Sequence, residues 1–196
     1  MSTQGLSTDE VGVTRCSWAT STPEYLAYHD TEWGVAVHGE TAIYERLTLE
    51  GFQSGLSWLT ILRKRESFRA AFAGFDAESV AAFDDGDYER LMNDRSIVRN
   101  RLKIRAAMTN ARAVVRLRDV GGLEELLWSF RPAGHLPPRT PADVPATSEE
   151  SVALAKALKR NGFAFIGPTT MYATMQACGL VDDHLAGCFR GQGCSV

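Results

Sequence analysis

Apolar residues recur along most of the chain at the three- and four-residue spacing of amphipathic helices. The segment Ala42–Leu49 places Ile43 and Leu47 on one face, and a longer helical pattern covers Leu102–Leu117. One short run, 163–166 (FAFI), is strand-like, but it is too short to found a sheet. The pattern therefore predicts an all-α protein.

Polar residues and prolines mark where these helices are expected to begin or stop. Asp76 and Asp87 are placed to cap two short helices, and Thr147 with Glu150 has the spacing of a capping box. The stretch Arg131–Pro145 holds five of the seven prolines. Because proline breaks a helix interior, we expect this stretch to be a crossing connection between helices.

The composition fits one ordinary domain, or a compact pair of lobes sharing a core. The chain has 196 residues, of which 44% are hydrophobic and 23% are charged. No apolar run approaches the roughly 20 residues that span a bilayer, so no membrane partner is expected. Residues 1–14 are polar and lack the apolar centre of a signal peptide. We expect them to form a flexible N-terminal extension on a cytoplasmic protein.

The charge is unevenly distributed. The formal net charge is −3, which alone disfavours a nucleic-acid partner. Eight basic residues and no acid lie between positions 95 and 118, which leaves 13 basic and 24 acidic residues elsewhere, or −11. The eight are Arg95, Arg99, Arg101, Lys103, Arg105, Arg112, Arg116 and Arg118. Such a basic stripe suits a phosphate backbone, although a solvated helix face would have the same composition.

Two cysteines and two histidines form a candidate metal site. Cys16 and His29 lie near the start of the chain, and His184 and Cys188 lie near its end, with a spacing that would share one helix face. Two thiolates and two imidazoles make a closed tetrahedral zinc set of the structural type. The alternative is two unrelated buried cysteines and two surface histidines. Cys178 and Cys194 lack such partners, and we interpret them as a core cysteine and a tail thiol.

Aromatic residues and one carboxylate suggest a binding pocket. The aromatics are Trp18, Tyr25, Tyr28, Trp33 and Trp58. Beside a basic stripe they suit base stacking, although each of them also suits ordinary core packing. Glu50 interrupts an apolar helical segment, so it is either an exposed helix residue or a buried carboxylate that needs donors from a ligand.

Several longer motifs resemble those of the 3-methyladenine DNA glycosylase I (Tag) family, within the helix-hairpin-helix glycosylases. The motifs occur in family order from about Arg15 to Cys188. They are RCSW (15–18), YLAYHDTEWGV (25–35), LEGFQSGLSWLTILRKRE (49–66), KALKRNGFAFIGPTT (156–170) and MQACGLVDDH (175–184). The resemblance implies a helix-hairpin-helix fold with a second, zinc-stabilised lobe formed by both chain ends.

The resemblance also assigns roles to the candidate site residues. It implies one structural zinc per chain, held by Cys16, His29, His184 and Cys188. It places the base-recognising carboxylate at Glu50, the stacking rings at Tyr28 and Trp58, and further pocket walls at Trp18 and Tyr25. The helical domain is expected at 40–130, and the zinc-binding lobe at 15–39 plus 140–190.

DNA contacts are implied at two further places. The loop with Gly55 and Leu56 corresponds to the wedge that fills the gap left by a flipped base, and the hairpin corresponds to 88–113. Its turn, RSIVRNRLK, has no glycine, so close approach of backbone amides to phosphate is not assured there. The nearby side chains expected to contact DNA instead are Arg99, Arg101 and Lys103.

The implied activity is excision of 3-methyladenine from double-stranded alkylated DNA by a monomeric, monofunctional glycosylase. Glu50 would recognise the cationic purine rather than activate water, and no lysine stands where a nucleophile would cleave the strand. The product would be free 3-methyladenine. Two alternatives remain, which are a non-catalytic zinc-stabilised protein that binds damaged DNA and a glycosylase acting on a wider range of methylated purines.

Overall fold

The structure is a computed structural model that describes residues 5–191, and most of these residues are helical. The helices are α1 (Pro23–Thr31), α2 (Glu40–Gln53), α3 (Trp58–Ala71), α4 (Ala77–Ala81), α5 (Asp85–Asn93), α6 (Arg101–Leu117), α7 (Gly122–Trp128), α8 (Glu149–Arg160) and α9 (Pro168–Ala177). Two three-residue strands, β1 (Leu6–Thr8) and β2 (Thr14–Cys16), pair antiparallel. The helical class and the helices predicted from the apolar spacing are confirmed.

The N-terminal segment differs from the expected flexible extension. Residues 5–14 include β1 and the turn that joins it to β2. The Asp9 carboxylate closes this turn by accepting backbone N–H groups of Val11 and Val13 at 3.1 and 2.8 Å. Leu6 then packs on a small buried cluster that contains Cys16. The polar composition concealed this hairpin because a single apolar side chain anchors it. Residues 1–4, and Cys194 in the tail, lie outside the described residues.

Two predicted helix caps are displaced along the sequence. Asp76 caps α4 as predicted, by accepting the N–H of Ser79. The cap of α5 is Asp84 rather than Asp87, which instead completes the capping box from the third helical position. The cap of α8 is likewise Ser148, paired with Ser151, rather than Thr147 with Glu150. In both cases neighbouring polar residues offer similar oxygens, and the helix begins where the oxygen reaches a free amide.

One continuous core extends from Ile43 to Val181 and includes residues of α8 and α9. The division into a domain at 40–130 and a lobe at 15–39 plus 140–190 stays a prediction, since buried side chains connect the two. A second, smaller cluster of Cys16, Leu185 and Cys188 brings the two ends of the chain together. Buried side chains therefore hold the two ends of the chain together.

Three segments outside the helices matter for the site. Residues 131–145 form an irregular connection, as predicted, with one short 3-10 turn at Pro141–Asp143. The strand-like run 163–166 is not a strand but a loop before α9. The segment 184–188 is also irregular, so His184 and Cys188 do not share a helix face. Within residues 5–191, no helix is both long and apolar enough to cross a membrane.

Candidate functional site

Glu50 lies in the last turn of α2, where apolar neighbours shield its carboxyl group. The residue is 7% exposed, so the buried alternative for Glu50 is the observed one. Burial raises its pKa to about 8, and the positive charge of Arg46, one turn earlier, lowers it only in part. Without a ligand, the Glu50 carboxyl group is therefore mostly protonated at neutral pH.

A cavity of about 400 Å³ opens beside Glu50, a volume typical of small-molecule sites. The cavity is lined by all five aromatic residues identified from the sequence, which are Trp18, Tyr25, Tyr28, Trp33 and Trp58. The remaining lining residues are Ser21, Glu50, Gln53, Ala173 and Gln176. The structure thus brings the predicted aromatics and the predicted carboxylate into one pocket.

The aromatic walls contact one another rather than standing apart. The Tyr28 and Trp58 ring centroids are 5.4 Å apart and the rings are tilted by 52°. Tyr28 is almost fully buried, whereas Trp18 at the rim is 36% exposed. A planar ligand would therefore lie against the joined face of Tyr28 and Trp58, since the gap between the two rings is too narrow to hold it.

Tyr25 helps to orient Trp58. The Tyr25 hydroxyl oxygen accepts the backbone N–H of Leu59 at 3.0 Å, at the start of α3. Ser57 caps the same helix by accepting the N–H of Thr60 at 3.2 Å. Because both bonds fix the first turn of α3, they also fix the backbone from which the Trp58 ring enters the pocket.

An ion-pair network that the sequence did not reveal lies next to Glu50. Arg46 donates to the Glu32 carboxylate at 3.2 Å, and Arg65 donates to the same carboxylate at 2.6 and 2.9 Å. Burial acts to raise the pKa of Glu32, but the hydrogen bonds and positive charge of Arg65 help to lower it overall. Arg46 belongs to this network, and its positive charge offsets the effect of burial on the pKa of Glu50 only in part.

Gln176 is a second pocket residue that sequence reasoning missed. Its side-chain amide donates to the buried Asp183 carboxylate at 2.6 Å, and the Tyr172 hydroxyl donates to the same oxygen at 2.8 Å. This contact commits the amide nitrogen and leaves the Gln176 amide oxygen as its free acceptor. The available signal was its place in the motif MQACGLVDDH, which carries both Gln176 and Asp183.

The cysteine and histidine residues converge as expected from the spacing. Ligand atoms of Cys16, His29 and Cys188, all buried, lie within 4.8 Å of one another. The Cys188 sulfur is 3.5 Å from His29 Nε2. The two thiols interact, and this interaction raises the pKa of Cys16 and lowers the pKa of Cys188. This set of three has the chemistry to hold a metal ion.

The fourth predicted ligand, His184, lies beside this group. Its ring centroid is 4.6 Å from that of His29, and it is 1% exposed. His29 and His184 each contact a carboxylate through Nδ1, Asp30 at 2.8 Å and Asp182 at 2.5 Å. Such contacts are the usual way of presenting Nε2 to a metal. The donor types are those that zinc prefers, but His184 Nε2 lies 3.4 Å from the His29 carbonyl oxygen, and only Cys16, His29 and Cys188 converge.

The loop after α2 presents Gly55 and Leu56 to solvent. Gly55 has a φ of +79°, which glycine adopts without strain, and Leu56 is 39% exposed. Gln53 closes the loop with its side chain, which donates to the Leu56 carbonyl at 2.9 Å. Leu56 lies two residues before Trp58, which lines the cavity, and its role as a wedge stays a prediction.

The basic stripe divides into exposed and buried members. Arg99 and Arg101 are exposed at the start of α6, and neither forms an ion pair with another described residue. Lys103 is buried instead, and its ammonium group donates to the carbonyls of Phe52 and Ser54 at 2.8 and 2.5 Å. The expected phosphate contact of Lys103 is therefore corrected, because the side chain caps the end of α2.

Comparison with known proteins places this architecture in a family. The methyladenine glycosylase family model matches residues 18–191. DNA-3-methyladenine glycosylase 1 of Escherichia coli (strain K12) is 46% identical over 179 residues, which cover 89% of this chain and 95% of that protein. A crystal structure of 3-methyladenine DNA glycosylase I has a TM-score of 0.85 at 44% identity, covering 89% of this chain and 98% of that one.

A further solved structure carries a ligand. It is a variant of 3-methyladenine DNA glycosylase I in complex with 3-methyladenine, with a TM-score of 0.85 and 34% identity, covering 91% of this chain and 98% of that one. The family model and these relatives match nearly the whole length of the sequence. On this evidence, the chain belongs to the methyladenine glycosylase family.

Proposed function

We propose that this protein is a monofunctional DNA glycosylase that flips 3-methyladenine out of alkylated duplex DNA and hydrolyses its N-glycosidic bond. The observation that carries the proposal is the buried Glu50 carboxyl group, which lines an aromatic cavity and receives no hydrogen bond from residues 5–191. Relatives named for this activity, and one solved with 3-methyladenine, support the choice of base. We expect a monomer that acts in the cytoplasm.

Recognition follows from the charge of the damaged base. N3-methylation makes the adenine of DNA cationic, and a cation beside Glu50 favours the ionised carboxylate. Glu50 then accepts hydrogen bonds from the amine edge of the purine, while Tyr28 and Trp58 stack against its face and Trp18 and Tyr25 form the outer walls. A neutral adenine gains less from this pocket, because it cannot offset the cost of ionising Glu50.

The bond-breaking step needs little help from the protein. As the C1′–N9 bond breaks, its electron pair passes to the purine and neutralises the charge introduced by methylation. Water then adds to C1′ and loses a proton to solvent, which leaves free 3-methyladenine and an abasic sugar. The described pocket lining contains no lysine. In this proposal hydrolysis proceeds without a Schiff base or strand cleavage, and Glu50 is a recognition group rather than a base.

For DNA binding, we propose a helix-hairpin-helix made by α5, the turn 94–100 and α6. The exposed Arg99 and Arg101 would contact phosphates at the start of α6, where Asn100 caps the helix and its first turn has no acidic residue. Leu56, with Gly55 beside it, would enter the gap left by the flipped base. The hairpin turn lacks glycine, so arginine side chains supply most of the phosphate contact in this proposal.

The four-residue group Cys16, His29, His184 and Cys188 would hold a structural zinc ion. Three of the four converge within 4.8 Å, and the carboxylate contacts of both histidines support metal binding. The ion would supply a cross-link between the two ends of the chain. No step of the reaction depends on it.

Base release from methylated DNA tests the proposal against both alternatives. The products of treated DNA are separated by chromatography, and strand integrity is followed on a gel. A monofunctional 3-methyladenine glycosylase releases 3-methyladenine and leaves the strand intact until alkali is added. A protein that only binds damage releases no base, and a wider-range enzyme also releases other methylated purines.

A further inference from the structure

Phe165 has an unfavourable backbone conformation, and the burial of its side chain is too small to compensate for it. Its φ is +55°, in the left-handed region that favours glycine. Two other described non-glycine residues have a positive φ. Ala73 (+50°) has no side chain beyond Cβ to place, and the ring of Phe75 (+60°) is completely buried in the core. Phe165 is 41% exposed. Strain at an exposed aromatic residue is typical of functional positions rather than of packing.

The surrounding loop holds Phe165 in this conformation. Asn110 of α6 is buried, and its side chain accepts the N–H of Ala164 at 2.7 Å and donates to the carbonyl of Ala164 at 3.2 Å. On the other side, Ile166 is buried in the main core. Because both neighbours are fixed, the backbone at Phe165 has little freedom to leave its left-handed conformation.

Phe165 lies beside the proposed DNA-binding face. Its ring centroid is 5.9 Å from Lys103 Nζ, and Lys103 in turn donates to the carbonyl of Ser54, two residues before Leu56. Phe165 and Lys103 also line one narrow crevice together with the end of α2. The exposed Arg99 and Arg101 belong to the same end of α6 as Lys103. An exposed aromatic, an exposed leucine and unpaired arginines thus share one region.

We infer that Phe165 is a second DNA-contacting side chain, which stacks on an unpaired or partly unstacked base next to the gap that Leu56 enters. This inference rests on the proposed function and adds a contact to it. Bending DNA at a flipped nucleotide exposes base faces, and a fixed aromatic ring can cover one of them without losing conformational freedom. The duplex is thus held by an apolar contact on each side of Lys103.

The test compares F165G, F165L and the exposed-surface control L136A. F165G removes the ring and relieves the backbone strain, whereas F165L removes the ring and keeps the strain. The measurements are the affinity for a duplex with an abasic-site analogue, the titration of free 3-methyladenine, and Tm. We expect F165G to weaken duplex binding about tenfold, in the range for one stacked base. Its Tm should be equal to or higher than that of wild type.

F165L should also weaken duplex binding, while L136A should leave it unchanged and none of the three should alter the affinity for free 3-methyladenine. Wild-type duplex affinity in F165G would overturn the inference. A lowered Tm in F165G, with duplex and base binding reduced together, would also overturn it, because Phe165 would then be a packing residue. Failure of the wild-type protein to release base would count against the proposed function alone, since duplex binding is measured without catalysis.

Discussion

The Trp18 indole lies across the His29 ring, with centroids 5.3 Å apart and planes at 71°. Trp18 is a wall of the cavity beside Glu50, and His29 belongs to the cysteine–histidine group. Trp33 makes a similar contact with His184, at 4.7 Å. The candidate metal site and the candidate base pocket therefore share a wall, and loss of one should disturb the other.

Removal of a cysteine from the group tests this dependence. C188A should eliminate metal binding and lower the free energy of unfolding by about 2–5 kcal/mol, the range for cross-links that close long loops. The free energy of binding 3-methyladenine should change by less than the free energy of unfolding. Metal analysis of purified protein and denaturant titration check both results.

C178A is the matched control, because Cys178 is equally buried but lies outside the group. It should keep about one zinc per chain and lose only the stability of a small packing change. Wild-type protein that is free of metal and yet fully stable would contradict the proposed zinc site.

Glu50 should be a source of instability as well as of recognition. A carboxyl group whose pKa rises on folding, here from 4.5 to about 8, makes its full contribution to stability below the lower value. That contribution is lost as the pH rises towards 8. In alkaline solution the ionised, buried carboxylate therefore lowers the free energy of unfolding of the wild-type protein. E50Q should therefore be more stable than wild type at high pH, by up to about 5 kcal/mol.

Thermal unfolding of wild type and E50Q over a pH series is the measurement. The difference in Tm should be smallest near the unfolded pKa of the carboxyl group and should grow towards pH 8. A constant difference across this range would mean that Glu50 has an ordinary pKa in the folded protein.

The helices and the pocket residues could largely be predicted from the sequence. Periodic apolar residues gave α2 and α6, and Glu50 stood out because a carboxylate interrupted an apolar segment. The cap positions moved from Asp87 to Asp84 because neighbouring oxygens compete for the same amides. Lys103 was misassigned because a charge run does not reveal which member points inward.

Other features depend on contacts between distant residues, which spacing does not encode. Glu32 pairs with Arg65 across 33 positions and with Arg46 across 14, so the ion-pair network beside Glu50 joins separate parts of the chain. Gln176 reaches the pocket because Asp183 orients its amide. The N-terminal hairpin depends on Leu6 meeting Leu185 and Cys188 from the far end of the chain.

Charge removal at the start of α6 tests the proposed phosphate contacts. R99Q combined with R101Q should weaken binding to undamaged and damaged duplex alike, and should reduce the salt slope of log K by about 2. R118Q is the control, since Glu40 and Glu78 already engage that guanidinium group. If the double variant keeps the wild-type slope, the exposed arginines form a solvated helix face instead.

Lys103 should act differently from these arginines. K103M removes both hydrogen bonds to the end of α2 and should slow base excision about tenfold or more, because the Leu56 loop loses its support. The salt slope should stay at the wild-type value, and K103R should restore part of the rate. If K103M instead reduces the salt slope of log K and leaves excision at saturating protein unaffected, Lys103 is a phosphate contact after all.

The most direct test of the account is single-turnover release of 3-methyladenine from methylated duplex by wild type and E50Q across a pH series. Spontaneous release without protein is subtracted at each pH. For wild type, the rate at subsaturating protein should rise about tenfold per pH unit and level off near pH 8, where Glu50 ionises. E50Q should be about ten- to hundredfold slower at the plateau and independent of pH. Equal rates and equal pH profiles for the two proteins would contradict the assignment of Glu50 as the recognition carboxylate.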